Sequence, residues 1–101
     1  MHVISKKKLR EFWEKHPDAE EPLRAWHRIV EKTRWENFAE VRATFPSADL
    51  IGHREEGHGV VFNIGGNKFR LFVVVFFEYG RVYIRHVLTH AEYDRGDWRK
   101  G

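Results

Sequence analysis

The chain has 101 residues, 42% of them hydrophobic and 15% aromatic, with no cysteine and a formal net charge of +3. Such a chain can bury one self-sufficient core, which argues against a disordered protein, and the absence of cysteine excludes a disulfide framework and a thiolate metal site. The small positive charge, with seven histidines uncounted, favours an anionic partner without demanding one.

The opening stretch MHVISKKKL lacks the apolar segment of a secretory signal, and no run reaches membrane-spanning length. A cytoplasmic protein without a membrane partner is therefore expected. There is no repeat and no linker-like composition, so residues 1–101 read as a single domain.

A β-like start at His2–Ile4 comes first. Leu9, Phe12, Trp13 and His16 then recur at helical spacing, and Pro17 stops that helix. Asp18 with Glu21 resembles a capping pair for a second helix, in which Leu23, Trp26, Ile29 and Val30 mark the apolar face. Pro22 is tolerable only in its first turn. A third, shorter helix is expected at Asn37–Thr44, where Asn37 and Glu40 fit a capping box and Phe38, Val41 and Phe45 mark a face. The tryptophans at 13, 26 and 35 stand where packing is the natural role.

The period then changes. GHREEGHG, residues 52–59, reads as a polar loop whose histidines and glutamates lack the ordered frame a metal site needs. VVFNI and NKFRLFVVVFF flank Gly65-Gly66, a strong hairpin signal because type I′ and II′ turns need positive φ. Taken as a two-residue loop, this hairpin sets Asn63 opposite Lys68 and Val61 opposite Arg70. Phe62, Ile64, Phe69 and Leu71 then share one apolar face for the helices, while Asn63, Lys68 and Arg70 share the other. FVVVFF, apolar on both faces, suits a central strand. The sum is an α+β domain: a short N-terminal strand and two to three helices packed on one face of an antiparallel β-sheet.

The segment YIRHVLTHAEYDRGDWRKG, residues 83–101, crowds titratable groups where the last strand runs out. Thr89 and Glu92 fit a capping box, so a helical turn should start there with His90 first and Tyr93 on a neighbouring position. A helix N-terminus carries partial positive charge, which biases His90 toward the neutral imidazole a general base needs. The facing of β-strand residues before it depends on the Tyr79-Gly80 turn. A two- or four-residue loop puts Arg85 on the Arg70 face, and a three-residue loop puts His86 there. SKKKLR, with Lys7 and Lys8, is a basic turn that phosphate could contact. GDWRKG reads as the plain end of the chain.

Taken together, MHVISKKKLREFWEKHPDAEEPLRAWHRIV, NFAEVRATFPSAD, VVFNIGGNKFRL and YIRHVLTHAEYDRGDW closely resemble the HigB toxins of bacterial type II toxin–antitoxin modules. These belong to the RelE-like superfamily. The resemblance runs through nearly the whole chain in order, although GHREEGHG is longer than the family's loop. It implies a RelE-like fold and a ribosome-dependent endoribonuclease that cuts translated messenger RNA. It implies a HigA-type antitoxin with a helix-turn-helix, through which the toxin touches operator DNA only indirectly, and a bacterial cytoplasm.

By resemblance, Arg70 in its FRL context holds the scissile phosphate, and His90 and Tyr93 in THAEYD complete the site. With Lys68 added, these are the expected catalytic residues; Asn63, Arg85, His86, Lys7 and Lys8 are the expected substrate contacts. The chemistry expected is transesterification without a metal or other cofactor. Two other readings compete: a non-catalytic RNA- or nucleic-acid-binding module, and a degenerate toxin that keeps only its antitoxin surface. Cleavage of cellular transcripts separates the enzyme from both.

Overall fold

Apolar positions three and four residues apart make α1 (Lys7–Lys15), α2 (Glu20–Glu31) and α3 (Phe38–Thr44) one-sided helices. A computed structural model, which describes residues 1–54 and 57–100, sets these helices on one face of a five-stranded sheet. The strands are β1 (His2–Ile4), β2 (Asp49–Arg54), β3 (Gly57–Ile64), β4 (Phe69–Phe76) and β5 (Arg81–Thr89), in the order β1-β5-β4-β3-β2. A short α4 (His90–Arg95) and a 3-10 turn at Asp97–Lys100 follow, and they pack on the other face.

The main core lies between the helices and the sheet. Phe62 is its centre: Trp26 and Phe45 meet its ring edge-on at 5.4 and 5.1 Å, and Trp35 stacks at 6.2 Å. Each such buried aromatic or branched side chain contributes about 1.5–3 kcal/mol over its exposed state. The alternation expected for the hairpin supplies the sheet half of this layer, with Phe62, Ile64, Phe69 and Leu71 all in the core. FVVVFF is central as expected, because β4 has two strands on either side.

The α+β architecture matches the sequence reading, with two differences at the sheet edges. β1 pairs with β5 in parallel, His2 opposite Arg81, so the sheet is mixed rather than wholly antiparallel. A parallel neighbour needs a long connection between the strands, and the helices and hairpins in between supply it. GHREEGHG is the other difference. Its ends are strand, not loop: residues 52–54 close β2 and residues 57–59 open β3, with His53 opposite His58. Glu55 and Glu56 lie outside the described residues. β2 is an edge strand, and an edge strand tolerates polar residues that blur its alternation.

The helix boundaries divide in the same way. Asn37 accepts a hydrogen bond from the Glu40 N–H at 3.0 Å, the expected start for α3. Glu40 reaches the Glu36 N–H instead of closing the box on Asn37. Asp18 does not cap α2, because Pro17–Ala19 forms a 3-10 turn that runs straight into the helix. Pro22 falls in the first turn of α2, where no N–H is missed. Among the described residues, no helix is long and apolar enough to cross a membrane.

Candidate active site

Two hairpins decide which side chains share the face opposite α1–α3. The first has a four-residue turn, Gly65 to Lys68, because Ile64 pairs with Phe69 and Asn63 with Arg70. Gly65 and Gly66 both take positive φ, 62° and 70°, the conformation their lack of a Cβ permits. The expected two-residue loop was therefore wrong by two positions. A two-residue slip preserves facing, since side chains alternate with period two. Asn63 and Arg70 do share the face, but Lys68 belongs to the turn, where its Nζ sits 3.4 Å from an Asp18 carboxylate oxygen.

The second hairpin decides between the two facings that the sequence leaves open. Phe76 pairs with Arg81, so its loop also has four residues, a length that should bring Arg85 to the Arg70 face. A bulge intervenes. Val73 pairs with Ile84 and Phe72 with His86, leaving Arg85 as the extra, unpaired residue. One inserted residue reverses the facing of everything after it. His86 and Leu88 thus join Arg70 on one face. The His86 ring stacks on Phe72 at 5.9 Å and 14°. Arg85 remains exposed at the bulge, its carbonyl accepting from Lys8 Nζ at 3.2 Å.

Arg70 is the decisive side chain. It is 8% exposed, and among the described residues it is the buried charged group. Its partners are neutral: Nη2 donates to Asn67 Oδ1 at 2.7 Å, and Nη1 donates to the Asn67 and Phe69 carbonyls at 3.2 Å each. Among the described residues no carboxylate pairs with it. A buried cation without a counterion is costly, and a phosphate would relieve that cost with paired, charge-assisted hydrogen bonds.

Asn67, which the sequence reading placed at the start of the strand and gave no role, lies in the turn and fixes the guanidinium. Asn67→Ala is expected to slow any Arg70-dependent reaction about tenfold, the worth of one charge-assisted hydrogen bond. Steady-state assays on the purified variant check this, and a native rate would deny Asn67 that part.

The other side of Arg70 is covered by Tyr93, whose ring centroid lies 5.5 Å from Cζ. Tyr93 is held there by α4, and α4 starts as the sequence predicts. Thr89 accepts from the Glu92 N–H at 3.1 Å, while Glu92 accepts from the Thr89 N–H at 2.8 Å. His90 opens the helix. Its N–H donates to the Lys68 carbonyl at 3.0 Å, so the imidazole starts beside the turn that holds Arg70. Its Nδ1 lies 3.3 Å from an Asp94 carboxylate oxygen, and the side chain is exposed.

GDWRKG is not a plain tail. Trp98 is buried at 8% exposure, and with Val61, Phe72 and Val74 it makes a second, smaller core under α4. Gly59 makes room for this layer, since a Cβ there would come within 3.2 Å of the Phe72 ring.

Comparison with known proteins gives the family. The family model for HigB toxins, described as the RelE-like toxic component of a toxin–antitoxin system, matches residues 19–96. The mRNA interferase toxin HigB of Escherichia coli K12 is 38% identical over 94 residues, covering 93% of this chain and 88% of its own. The mRNA interferase HigB of Shigella flexneri matches to the same degree. The mRNA interferase HigB of E. coli O6:H1 strain CFT073 is 32% identical over 95 residues, covering 94% of this chain and 90% of its own.

The chain belongs to the HigB family.

This HigB-family fold also carries charge on its helical layer. Lys7 lines a groove between α1 and α2 of about 560 Å³, together with Lys6, Arg10, Arg24 and Arg28 around Trp13. Lys7 pairs loosely with Glu11 at 3.9 Å and Arg24 with Glu20 at 2.8 Å. Arg24 also lies 4.6 Å over the Trp13 ring. Among the described residues no carboxylate lines the groove. Lys8 points elsewhere, toward β5, as its bond to the Arg85 carbonyl requires. The expected phosphate-contacting residues thus divide: Asn63 and His86 lie with Arg70, Lys7 lines the helical groove, and Lys8 meets Arg85 at the β5 bulge.

Proposed function

We propose that this HigB-family protein is a messenger-RNA endoribonuclease that acts on the translating ribosome. The observation that carries the reading is Arg70: a buried guanidinium with neutral partners only, beside an aromatic ring and a histidine-bearing helix start. The relatives named above as mRNA interferases give the reading its substrate.

The reaction is transesterification. His90 takes the proton from a ribose 2′-OH, and that oxygen attacks the adjacent phosphorus. Arg70 neutralises the charge that grows on the non-bridging oxygens, the contribution that usually dominates such catalysis. The bond to the 5′ oxygen breaks, a second acid protonates the leaving group, and a 2′,3′-cyclic phosphate remains. His90 suits the base role because Nδ1 facing Asp94 leaves Nε2 to accept a proton. Tyr93 offers its ring to Arg70 and its outer edge to a splayed base. Asn63 and His86 border the same face and would contact the messenger. Lys68, tethered outward to Asp18, adds long-range positive charge. With Arg70 supplying the charge, we assign the reaction no metal.

The α1–α2 groove is on the helical layer, across the sheet from Arg70, so one short RNA strand does not serve both. We assign the groove to structured RNA of the ribosome, whose phosphates match five clustered cations. Reversing two charges, Arg10→Glu with Arg28→Glu, should weaken ribosome binding at least about tenfold and flatten its salt dependence. Co-sedimentation with ribosomes across a salt series measures it. Unchanged binding would remove the groove from the assignment.

The partner in the cell is an antitoxin, as membership in a toxin–antitoxin family indicates. We propose a HigA-type protein with a helix-turn-helix, through which the toxin reaches operator DNA, and a cytoplasmic location for the pair. The direct test is induction of the protein in a bacterial host with mapping of new transcript 5′ ends, with and without a chelator in a parallel translation extract. Growth arrest with cleavage inside translated frames supports the enzyme. Arrest without cleavage would leave an RNA-binding module, and neither effect would leave a degenerate toxin.

A further inference from the structure

We propose that Trp98 is a positioning residue for cleavage: it holds the Tyr93 ring against Arg70 and thereby sets where the phosphate is gripped. The inference rests on the functional reading of Arg70 and Tyr93 above and names what keeps that pair in register.

Four contacts support it. The Trp98 indole stacks on the Tyr93 ring at 5.2 Å with planes 17° apart. Its Nε1 donates to the Tyr93 carbonyl at 3.0 Å, so ring and backbone of the same residue are both fixed. The indole also packs against Phe72 at 5.1 Å, and Phe72 belongs to the rigid central strand. Arg99 lies 5.1 Å over the same indole.

The route back to Tyr93 is built into the chain. Gly96 takes φ 76° and ends α4, its N–H donating to the Tyr93 carbonyl at 3.1 Å, which turns the backbone so that Trp98 folds under the helix. The Tyr93 ring thus sits between a buried cation and a buried indole. α4 has only six residues and no buried side chain of its own. A helix that short is marginal in isolation, and tertiary packing must place it. Trp98 is the largest group available for that task. It does so from the face where the phosphate would lie, whereas the main core is on the far side of the sheet.

A purely structural role would lower stability and leave the saturated rate of the folded protein unchanged. A positioning role would change that rate through Tyr93. The test compares the native protein with Trp98→Leu, which stays apolar but loses the flat stack and the N–H, in a translating-ribosome cleavage assay at saturating messenger. We expect the folded variant to cleave about 3- to 10-fold more slowly, the worth of one aromatic pair. In a Tyr93→Ala background the same substitution should add no further loss, because the two act through one contact.

A native saturated rate in folded Trp98→Leu, or losses that simply multiply in the double variant, would overturn the proposal. If Trp98→Leu does not fold, Trp98→Phe replaces it in the same cycle. Its loss, about 3-fold from the missing N–H bond, should again vanish when Tyr93 is alanine, and multiplying losses would overturn the proposal equally. Arg70→Ala and Tyr93→Ala run alongside. Loss in both with none in the Trp98 variants refutes only this inference; native rates in both refute the site itself.

Discussion

Arg70→Met should lose about 10²- to 10³-fold in messenger cleavage while folding as stably as the native chain, or more so. The two effects have one cause. Among the described residues Arg70 is buried with neutral partners only, so its charge costs desolvation energy that no counterion there returns. Methionine fills similar volume without that cost, although three acceptors, the Asn67 and Phe69 carbonyls and Asn67 Oδ1, lose a donor at roughly 1 kcal/mol each, less where water replaces it. The net change in stability should lie within about 1 kcal/mol of zero, or be favourable.

The charge earns its place only when a phosphate arrives, and removing one such preorganised donor set has the stated effect on rate. Arg70→Lys should also fall at least about tenfold, since a single ammonium cannot hold both Asn67 and a phosphate in the guanidinium's planar geometry. Denaturant unfolding and 5′-end mapping give the two readouts. Native cleavage by Arg70→Met would remove Arg70 from the mechanism. Strong destabilisation would mean that the residue is structural.

His90→Ala should cost about 10²- to 10⁴-fold, the contribution of a positioned general base, with stability nearly unchanged because the side chain is exposed. Tyr93→Phe should cost no more than about 3-fold, since the ring and not the hydroxyl contacts Arg70 and Trp98. Among the described residues the hydroxyl makes no hydrogen bond. The pair of variants therefore discriminates His90 as the base from Tyr93, roles that sequence spacing does not separate. A large loss in Tyr93→Phe with a small one in His90→Ala would transfer the base role to Tyr93. Asp94→Asn should show a smaller loss than His90→Ala, because it alters only the orientation of the imidazole.

Much of this arrangement is local and so is written in the chain. The 3.6-residue spacing of Leu23, Trp26 and Val30 specifies an amphipathic helix wherever it packs. Thr89 and Glu92 close their capping box with neighbours three residues apart, needing nothing from the rest of the fold. Alternation in VVFNI and FRLF specifies which side chains face the helices, and it survives a hairpin two residues longer than the glycines suggest. The resemblance in NIGGNKFRL and THAEYD correctly pointed to the HigB family.

What the tertiary structure decided is the set of choices in which two distant stretches compete for one position. Whether Arg85 or His86 shares the face of Arg70 is settled by one unpaired residue in β5, and a bulge has no local signature because pairing partners, not propensity, create it. Lys68 leaves the sheet face for the turn and reaches Asp18, fifty positions away in the chain, once the turn lengthens. Trp98 reads as a stray aromatic in a charged tail until Gly96 turns it under α4 and onto Phe72. Sequence by itself therefore determined the helices, the central strands, their buried faces and the family, but not the edge strand β2. Long-range packing determined how a buried arginine, with no carboxylate partner among the described residues, comes to sit between an asparagine turn and a stacked tyrosine, because burial is a property of the assembled fold.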